Sequence, residues 1–163
     1  MSTAVLKTDI AWIEVGGDDQ AITRLLWHTK KPNEIEPTPL LREAARQVEA
    51  YIGGKLQQFD LPLRAEGSDL AKSVWREMLA IPYGRTRTYG DVATTLQGQV
   101  AIDAATHVLP QLVGQACGQN PIAVIIPCHR IVGATSLGGY TSELGLRAKT
   151  FLLDLERGQG SLF

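Results

Sequence analysis

The sequence has few of the residues that mark disulfide-bonded, metal-binding or membrane proteins. Its 163 residues include two cysteines and three histidines, and the histidines are scattered without the short spacings of a zinc site. Cys117 and Cys128, in a chain without a recognisable signal peptide or a long apolar segment, favour a reducing cytoplasm over a disulfide scaffold. We therefore expect a cytoplasmic protein with no metal, no cofactor and no membrane segment.

The chain also lacks a strong excess of charge of either sign. A formal net charge of -1 and a pI near 6.3 exclude the broad positive field of many nucleic-acid-binding proteins. Any contact with DNA must then rest on local donors and on shape. A hydrophobic content of 44% is enough for a substantial core, in one domain or two small ones.

The most informative stretch is residues 120–130, which reads Asn-Pro-Ile-Ala-Val-Ile-Ile-Pro-Cys-His-Arg. The apolar run at residues 123–126 predicts a buried strand that a proline ends, so that Cys128 is presented at its tip. His129 follows, and Arg130 adds a cation that favours the reactive thiolate. Cys128 could instead be a small core residue, but two ionisable neighbours are costly to bury unpaired, and this favours a nucleophile.

The first part of the chain predicts a β-hairpin followed by a helix. Residues 10–15 and 20–27 have strand composition and are separated by a Gly-Gly-Asp-Asp turn. The Thr-Pro pair at residues 38–39 and Gly53 bound a helix with apolar residues at helical spacing. Residues 55–63 are expected to add a further strand.

The second part of the chain is predicted to be mainly helical. Helices are expected to begin at Ser68, at Thr88, at Leu109 and at Ser142, the last ending at Gly158. Residues 97–106 show no clear pattern and are expected to form a loop or a short helix. In isolation, Glu156 has the pattern of a solvated surface carboxylate.

The helix that begins near Leu109 has an unusual outer face. This face carries Gln111, Gly114, Gln115 and Gly118 instead of charged residues. Such a face suits close approach to another backbone, and with the helix before it the pattern resembles a helix-turn-helix. Equally, Gly114 could merely allow two helices to pack.

A glycine-rich loop follows the cysteine motif. Gly138 and Gly139 would let backbone amides approach a flat ligand, and Tyr140 could stack on it. A plain turn is the alternative.

Together these motifs resemble the O6-alkylguanine-DNA alkyltransferase family. The resemblance runs from about residue 48 to residue 158, and its most specific part is the Pro-Cys-His-Arg core at residues 127–130, preceded by Asn-Pro at residues 120–121. It implies an α+β protein with a ribonuclease H-like domain over residues 1–65. A winged-helix (helix-turn-helix) domain over residues 66–158 and a C-terminal tail over residues 159–163 would follow.

The resemblance also implies a reaction and roles for individual residues. A damaged guanine is flipped out of double-stranded DNA through the minor groove, and a cysteine takes the alkyl group from O6. By this resemblance Cys128 is the nucleophile, His129 its base through a water, and Glu156 the group that orients His129. Asn120 would tie the recognition helix to the active site. Tyr89 would help to rotate the target phosphate and donate a proton toward guanine N3.

Further residues are implied to contact the base and the DNA. The expected substrate pocket comprises Gly138, Gly139, Tyr140, Thr141 and Ser142. The expected DNA contacts are Tyr89, Gln111, Gly114, Gln115 and Arg130. Gln111 stands where the family has an arginine that intrudes into the base stack, so flipping is expected to be weaker or slower.

The implied activity is single-turnover repair, because transfer leaves a thioether on the cysteine that no residue of the motif can hydrolyse. The resemblance also implies a monomer. O4-alkylthymine is an open second lesion. The tail also resembles the Gln-x-x-Leu-Phe peptide that docks on bacterial sliding clamps, through Gln159, Leu162 and Phe163. Two other functions stay open: a lesion-binding module that flips and flags alkylated bases without efficient transfer, and a Cys-His hydrolase, which is weaker because no oxyanion site is evident.

Overall fold

A three-stranded antiparallel sheet opens the computed structural model of the chain, which describes residues 1–99 and 107–158. Its strands are β1 (Ser2–Lys7), β2 (Trp12–Gly17) and β3 (Ile22–His28), paired in that order. The predicted hairpin of β2 and β3 is confirmed. Sequence reasoning missed β1, since its buried residues do not alternate with exposed ones.

Helix α1 (Pro39–Ile52) packs on this sheet, as its capping pattern predicted. Thr38 Oγ1 accepts a hydrogen bond from the Leu41 amide at 3.2 Å, and a proline occupies the first turn. Tyr51, in the last turn of α1, is fully buried. The helix therefore carries a phenol from the N-terminal part of the chain into the interior.

The predicted strand at residues 55–63 is wrong. This segment makes only an isolated parallel bridge between Leu63 and Ile22, in which the Ile22 amide donates to Pro62 O and the Arg64 amide donates to Ile22 O, both at 2.8 Å. Pro62 has no N–H to donate, so a continuous ladder cannot extend through it.

Four helices dominate the second part of the chain. They are α2 (Asp69–Leu79), α3 (Tyr89–Gln97), α4 (Pro110–Gly118) and α5 (Leu146–Gly158). The caps predicted at Ser68 and Thr88 are present: Ser68 Oγ accepts from the Ala71 amide, and Thr88 and Asp91 form a reciprocal capping box. Of the segment left open between α3 and α4, residues 100–106 lie outside the described part of the chain.

A short parallel pair of strands joins α3 to the cysteine motif. In it β4 (Arg87–Thr88) lies beside β5 (Ile131–Val132). Because β4 leads directly into α3 and β5 directly follows residues 128–130, the pair brings Tyr89 close to the cysteine. Two short strands thus set the geometry of the site.

The predicted strand at residues 123–126 is also wrong, although its burial was predicted correctly. All four residues are buried, but they form turns, and Val124 has a φ of +73°. The neighbouring Ile122 makes the one strand-like contact, a parallel bridge to Leu25. An apolar run bounded by prolines predicts that the segment is buried, but a buried turn fits this pattern as well as a buried strand does.

Ser142 does not cap the last helix, contrary to the prediction. Its Oγ accepts from the Leu144 and Gly145 amides at 3.1 and 3.0 Å, which closes a turn before α5 begins at Leu146. Gly145 has a φ of +54°, a left-handed conformation that glycine adopts without strain and that ends this turn.

One hydrophobic core extends through both parts of the chain. The Trp75 indole of α2 donates to Ala116 O of α4 at 2.9 Å, which fixes two of the helices to each other. Within residues 1–99 and 107–158, no helix has the length and apolar character needed to span a membrane. In the same residues, no group of three or more His, Cys, Asp or Glu side chains is arranged to hold a metal ion.

Candidate active site

Cys128 opens a 3-10 turn, Cys128–Arg130, immediately before β5. Its amide donates to Ile126 O at 2.8 Å and the Arg130 amide donates to Pro127 O at 2.9 Å, so backbone hydrogen bonds hold the turn. The residue is only 8% exposed, yet it lines a cavity of about 170 Å³. The thiol is therefore shielded from bulk solvent but accessible to a ligand in that cavity.

The cavity is assembled from α3, α4, the cysteine turn and the loop before α5. Its lining consists of Tyr89, Gly114, Cys117, Gly118, Cys128, Gly139, Tyr140 and Thr141. Three glycines leave backbone exposed in the wall, which suits a flat ligand. A larger cavity of about 350 Å³, lined by Phe59, Pro82 and Arg130 among others, does not include Cys128.

Glu156 lies at the centre of the buried polar network behind the thiol. Its side chain is 1% exposed. Its Oε2 accepts from Tyr51 Oη at 2.5 Å, His129 Nε2 at 2.7 Å and Arg130 Nη2 at 2.9 Å, and its Oε1 accepts from Arg130 Nε at 2.9 Å and the Gly84 amide at 3.1 Å. The surface position that the residue's type alone suggested is wrong.

The bond to Glu156 decides which nitrogen of His129 can act as a base. A carboxylate can only accept, so Nε2 carries the proton, and in the neutral ring Nδ1 keeps its lone pair. Nδ1 is buried and has no hydrogen-bond partner within the described ranges. His129 is thus held as a neutral imidazole with one basic nitrogen free.

The electrostatics of the site favour a neutral thiol beside a neutral imidazole. Burial raises the pKa of Cys128, which a hydrogen bond from Asn120 and the charge of Lys149 only partly oppose. Burial likewise lowers the pKa of His129, against the opposing hydrogen bond from Glu156. The expectation that an adjacent Arg130 favours a thiolate is therefore wrong, and the sulfur needs a base at the moment of reaction.

Lys149 is a buried cation of the site that sequence reasoning missed as a functional group. It is fully buried, and its Nζ donates to Ile131 O at 2.7 Å and to Gly139 O at 3.0 Å. Its ammonium also lies 5.8 Å from the Tyr89 ring centroid. The available signal was its position on α5, seven residues before Glu156 and next to the buried Ala148.

Asn120 connects the end of α4 to the cysteine turn. Its Nδ2 donates to Ile126 O at 2.8 Å, and its Oδ1 accepts from the Ile122 amide at 3.0 Å. These two bonds tie the end of α4 to the backbone that leads into the cysteine turn.

The outer face of α4 has the character that the sequence predicted. Gln111, Gln115 and Gly118 are exposed, and a Cβ built at Gly114 would lie 3.9 Å from the Tyr89 ring. A small side chain would therefore fit at position 114, and the packing of α4 on α3 does not by itself require glycine there.

Two of the predicted contact residues lie elsewhere in the structure. Arg130, predicted to contact DNA, is buried against Glu156, and its Nη1 donates to Ile81 O at 2.7 Å. Ser142, predicted to line the substrate pocket, faces a neighbouring depression beside Glu143. Thr141 and Tyr140 do line the cavity that contains Cys128.

A third residue predicted to line the substrate pocket, Gly138, is not in the wall of the cavity and lies against Tyr89 instead. It has a φ of +75°, and a side chain there would collide with the Tyr89 hydroxyl. Glycine at position 138 thus lets the loop before α5 close over the phenol.

Family models match almost the whole chain. Residues 1–65 match the model described as 6-O-methylguanine DNA methyltransferase, ribonuclease-like domain. Residues 69–158 match the model described as 6-O-methylguanine DNA methyltransferase, DNA binding domain.

Curated relatives and solved structures agree with these models. The methylated-DNA–protein-cysteine methyltransferase of Methanosarcina mazei is 41% identical over 159 residues, covering 93% of this chain and 94% of the relative. The protein of that name from Mycobacterium tuberculosis is 36% identical, covering 94% and 91%. A crystal structure of Mycobacterium tuberculosis OGT in complex with DNA has a TM-score of 0.76 at 32% identity, covering 97% of this chain and 94% of that one.

Proposed function

The chain belongs to the 6-O-methylguanine DNA methyltransferase family, and from this premise we propose that it repairs DNA by transferring the alkyl group of O6-alkylguanine to Cys128. The observation that carries the assignment to this cysteine is its position in the wall of a small cavity, with the His129–Glu156 pair behind it. DNA is the partner, in line with the match to a DNA-binding domain and with the neighbouring structure in complex with DNA.

The reaction follows from the neutral thiol and the free imidazole nitrogen. His129 Nδ1 takes the thiol proton through a bridging water, and the sulfur attacks the alkyl carbon. A carbon–sulfur bond forms while the carbon–O6 bond breaks, and its electron pair goes to the guanine. The base regains a proton, for which Tyr89 is the donor, because burial raises its pKa and keeps the phenol protonated. The thioether is permanent, so each molecule acts once.

Glu156 stabilises the imidazolium that this proton transfer creates. The attraction between Glu156 and His129 is strongest when the ring is charged, so the pair favours the transition state over the resting state. Lys149 also contributes, because its cation stabilises negative charge that develops on the sulfur.

The lining of the cavity supplies the base-binding surface. The Tyr140 ring is positioned by its hydroxyl, which accepts from Trp27 Nε1 at 3.2 Å, and it can stack on a flipped base. Backbone at Gly139 and the hydroxyl of Thr141 are the nearby polar groups. In this proposal Gly138 positions Tyr89 and does not itself contact the base.

Mass spectrometry of the intact chain tests the function. After incubation with duplex DNA that carries one O6-methylguanine, we expect one added methyl group, located on the peptide with Cys128. Tight binding with an unmodified cysteine would instead establish the lesion-binding module. A methyl group on Cys117 would overturn the assignment of the nucleophile. A parallel incubation with duplex that carries O4-methylthymine measures whether the methyl group of this second lesion is also transferred.

The exposed face of α4 is the proposed DNA contact, entering the minor groove with Gln111 filling the gap left by the flipped base. Gln111 and Gln115 are both exposed there and carry no charge, which agrees with the modest charge of the chain. Specific contact then depends on amide hydrogen bonds and on close approach at the glycines.

Replacing Gln111 by arginine should speed repair of duplex DNA more than repair of the free base. A charged donor in the stack gains about 1 kcal/mol over an amide, which corresponds to a roughly five- to tenfold higher single-turnover rate on duplex. Gln115→Arg, one turn further along the same face, is the matched control for added charge. Equal acceleration by the two variants, or an unchanged duplex-to-base ratio, would remove Gln111 from the flipping step.

The proposal also covers the domain bounds, the oligomeric state, the cellular location and a docking partner. The chain divides into domains at residues 1–65 and 66–158, and it acts as a monomer in the cytoplasm.

Residues 159–163, outside the described part of the structure, dock on a sliding clamp through Gln159, Leu162 and Phe163. Equal clamp binding by the full chain and by a chain lacking these five residues would rule the docking out.

A further inference from the structure

The polar network of the active site contains one hydroxyl that comes from the other domain. Tyr51 lies in the last turn of α1, within the match to the ribonuclease-like domain, whereas His129, Arg130 and Glu156 lie within the match to the DNA-binding domain. Its hydroxyl donates to Glu156 Oε2 at 2.5 Å and lies 3.5 Å from His129 Nε2. The phenol thus reaches the same carboxylate oxygen that holds the imidazole.

The Tyr51 ring is fixed in this position by its surroundings. The residue is fully buried, and the centroid of its ring lies 5.3 Å from that of Phe59. It meets the Tyr83 ring edge-on, with 6.0 Å between the two centroids. Burial raises its pKa well above the ordinary value, with the Glu156 charge adding to the effect, so the hydroxyl keeps its proton and can only donate to the carboxylate.

Oε2 of Glu156 therefore divides its negative charge among three donors. Each additional donor withdraws charge that would otherwise stabilise a protonated His129. Arg130 cannot be removed without leaving a buried carboxylate unpaired, but the neutral phenol can vary without changing any formal charge. Tyr51 is the group through which the basicity of His129 can be tuned.

We propose that Tyr51 is a positioning residue by which the ribonuclease-like domain sets the basicity of His129. The inference rests on the proposed roles of His129 and Glu156. In it the hydroxyl moderates the pull of Glu156 on the imidazole proton, so that His129 stays neutral at rest and ready to accept the thiol proton. The N-terminal domain thereby contributes to the chemistry as well as to the fold.

Other charged groups also face the imidazole and stay unchanged in the test. Glu156 and Lys149 face it from α5, and Arg130 adjoins it in its own turn. Glu156 raises the pKa of His129, and the two cations lower it after the larger effect of burial. Loss of the phenol donor leaves more charge on Oε2, so the pKa of His129 should rise in Tyr51→Phe.

The test measures the titration of His129 and the pH dependence of transfer in the full chain. With three histidines in the sequence, proton–nitrogen NMR can resolve the ring of each. We expect wild-type His129 to be neutral with its proton on Nε2, and transfer to be independent of pH above its midpoint. In Tyr51→Phe the NMR midpoint and the acid limb of the rate profile should move up together, by roughly half a pH unit.

Tyr83→Phe is the matched control. It removes the same atom from the neighbouring ring, whose hydroxyl is buried without a partner in the described ranges. This variant should leave the midpoint of His129 in place. Loss of packing alone would lower the melting temperature or the folded fraction without moving a midpoint measured on folded protein.

The outcomes separate this inference from the function on which it rests. If the wild-type chain gains no alkyl group on Cys128, the proposed function fails. If the wild type transfers normally but Tyr51→Phe has the wild-type midpoint, or Tyr83→Phe shifts it as far, Tyr51 has only a packing role and the inference is overturned.

Discussion

Replacing Cys128 by serine is expected to abolish alkyl transfer while leaving binding of lesion-containing duplex DNA nearly unchanged. The oxygen of serine is a far weaker nucleophile near neutral pH, and the neutral His129 is too weak a base to ionise it fully. The variant keeps almost the same volume in a residue that is already buried. The DNA-contacting face of α4 is therefore undisturbed.

Single-turnover transfer and binding titrations on the same duplex check this prediction. Cys117→Ser is the matched control, because Cys117 lines the same cavity. Burial raises the pKa of Cys117 to about 12, so it is a poor nucleophile and its replacement should preserve transfer. Transfer that survives in Cys128→Ser and is lost in Cys117→Ser would exchange the roles of the two residues.

Replacing Glu156 by alanine should be the most destabilising single change at the site. It leaves Arg130 buried without its carboxylate and also removes the acceptor of Tyr51, His129 and the Gly84 amide. Breaking a buried ion pair in this way costs about 3–5 kcal/mol of unfolding free energy. For a chain of this size the melting temperature should fall by roughly 6–20 °C.

Thermal and urea unfolding of the variant test this value. Asp154→Ala, on the same helix, is the control: its ion pair with Arg157 is exposed, so its loss should change the free energy of unfolding by less than about 0.5 kcal/mol. Burial acts to raise the pKa of Glu156, but the hydrogen bond from His129 and the ion pair with Arg130 outweigh it and hold this pKa well below its ordinary 4.5. The carboxylate therefore stabilises the fold above pH 4.5, and the gap between wild type and Glu156→Ala should narrow as the pH falls below that.

Sequence reasoning succeeded where the signal was local. The caps at Thr38, Ser68 and Thr88 mark helix starts because a side chain bonds an amide three residues on, which the sequence displays directly. The cysteine motif was likewise recognised from contiguous residues.

It failed where partners come from distant segments. By residue type alone Glu156 has the pattern of a surface residue, because its donors belong to α1, the Gly84 loop and the 128–130 turn, which no spacing along α5 reveals. Only the family resemblance placed it beside His129, where the structure has it. Residues 123–126 were correctly placed in the interior but wrongly given a strand, since an apolar composition does not distinguish a buried turn from a buried strand.

The shielding of Cys128 has a consequence for a protein whose nucleophile can be used only once. An unfolded cysteine would present more thiolate to the surrounding water than this one, because burial raises the pKa of the native thiol. The folded molecule therefore resists stray electrophiles and oxidants while it searches the genome. Its reactivity is kept for a base that occupies the cavity.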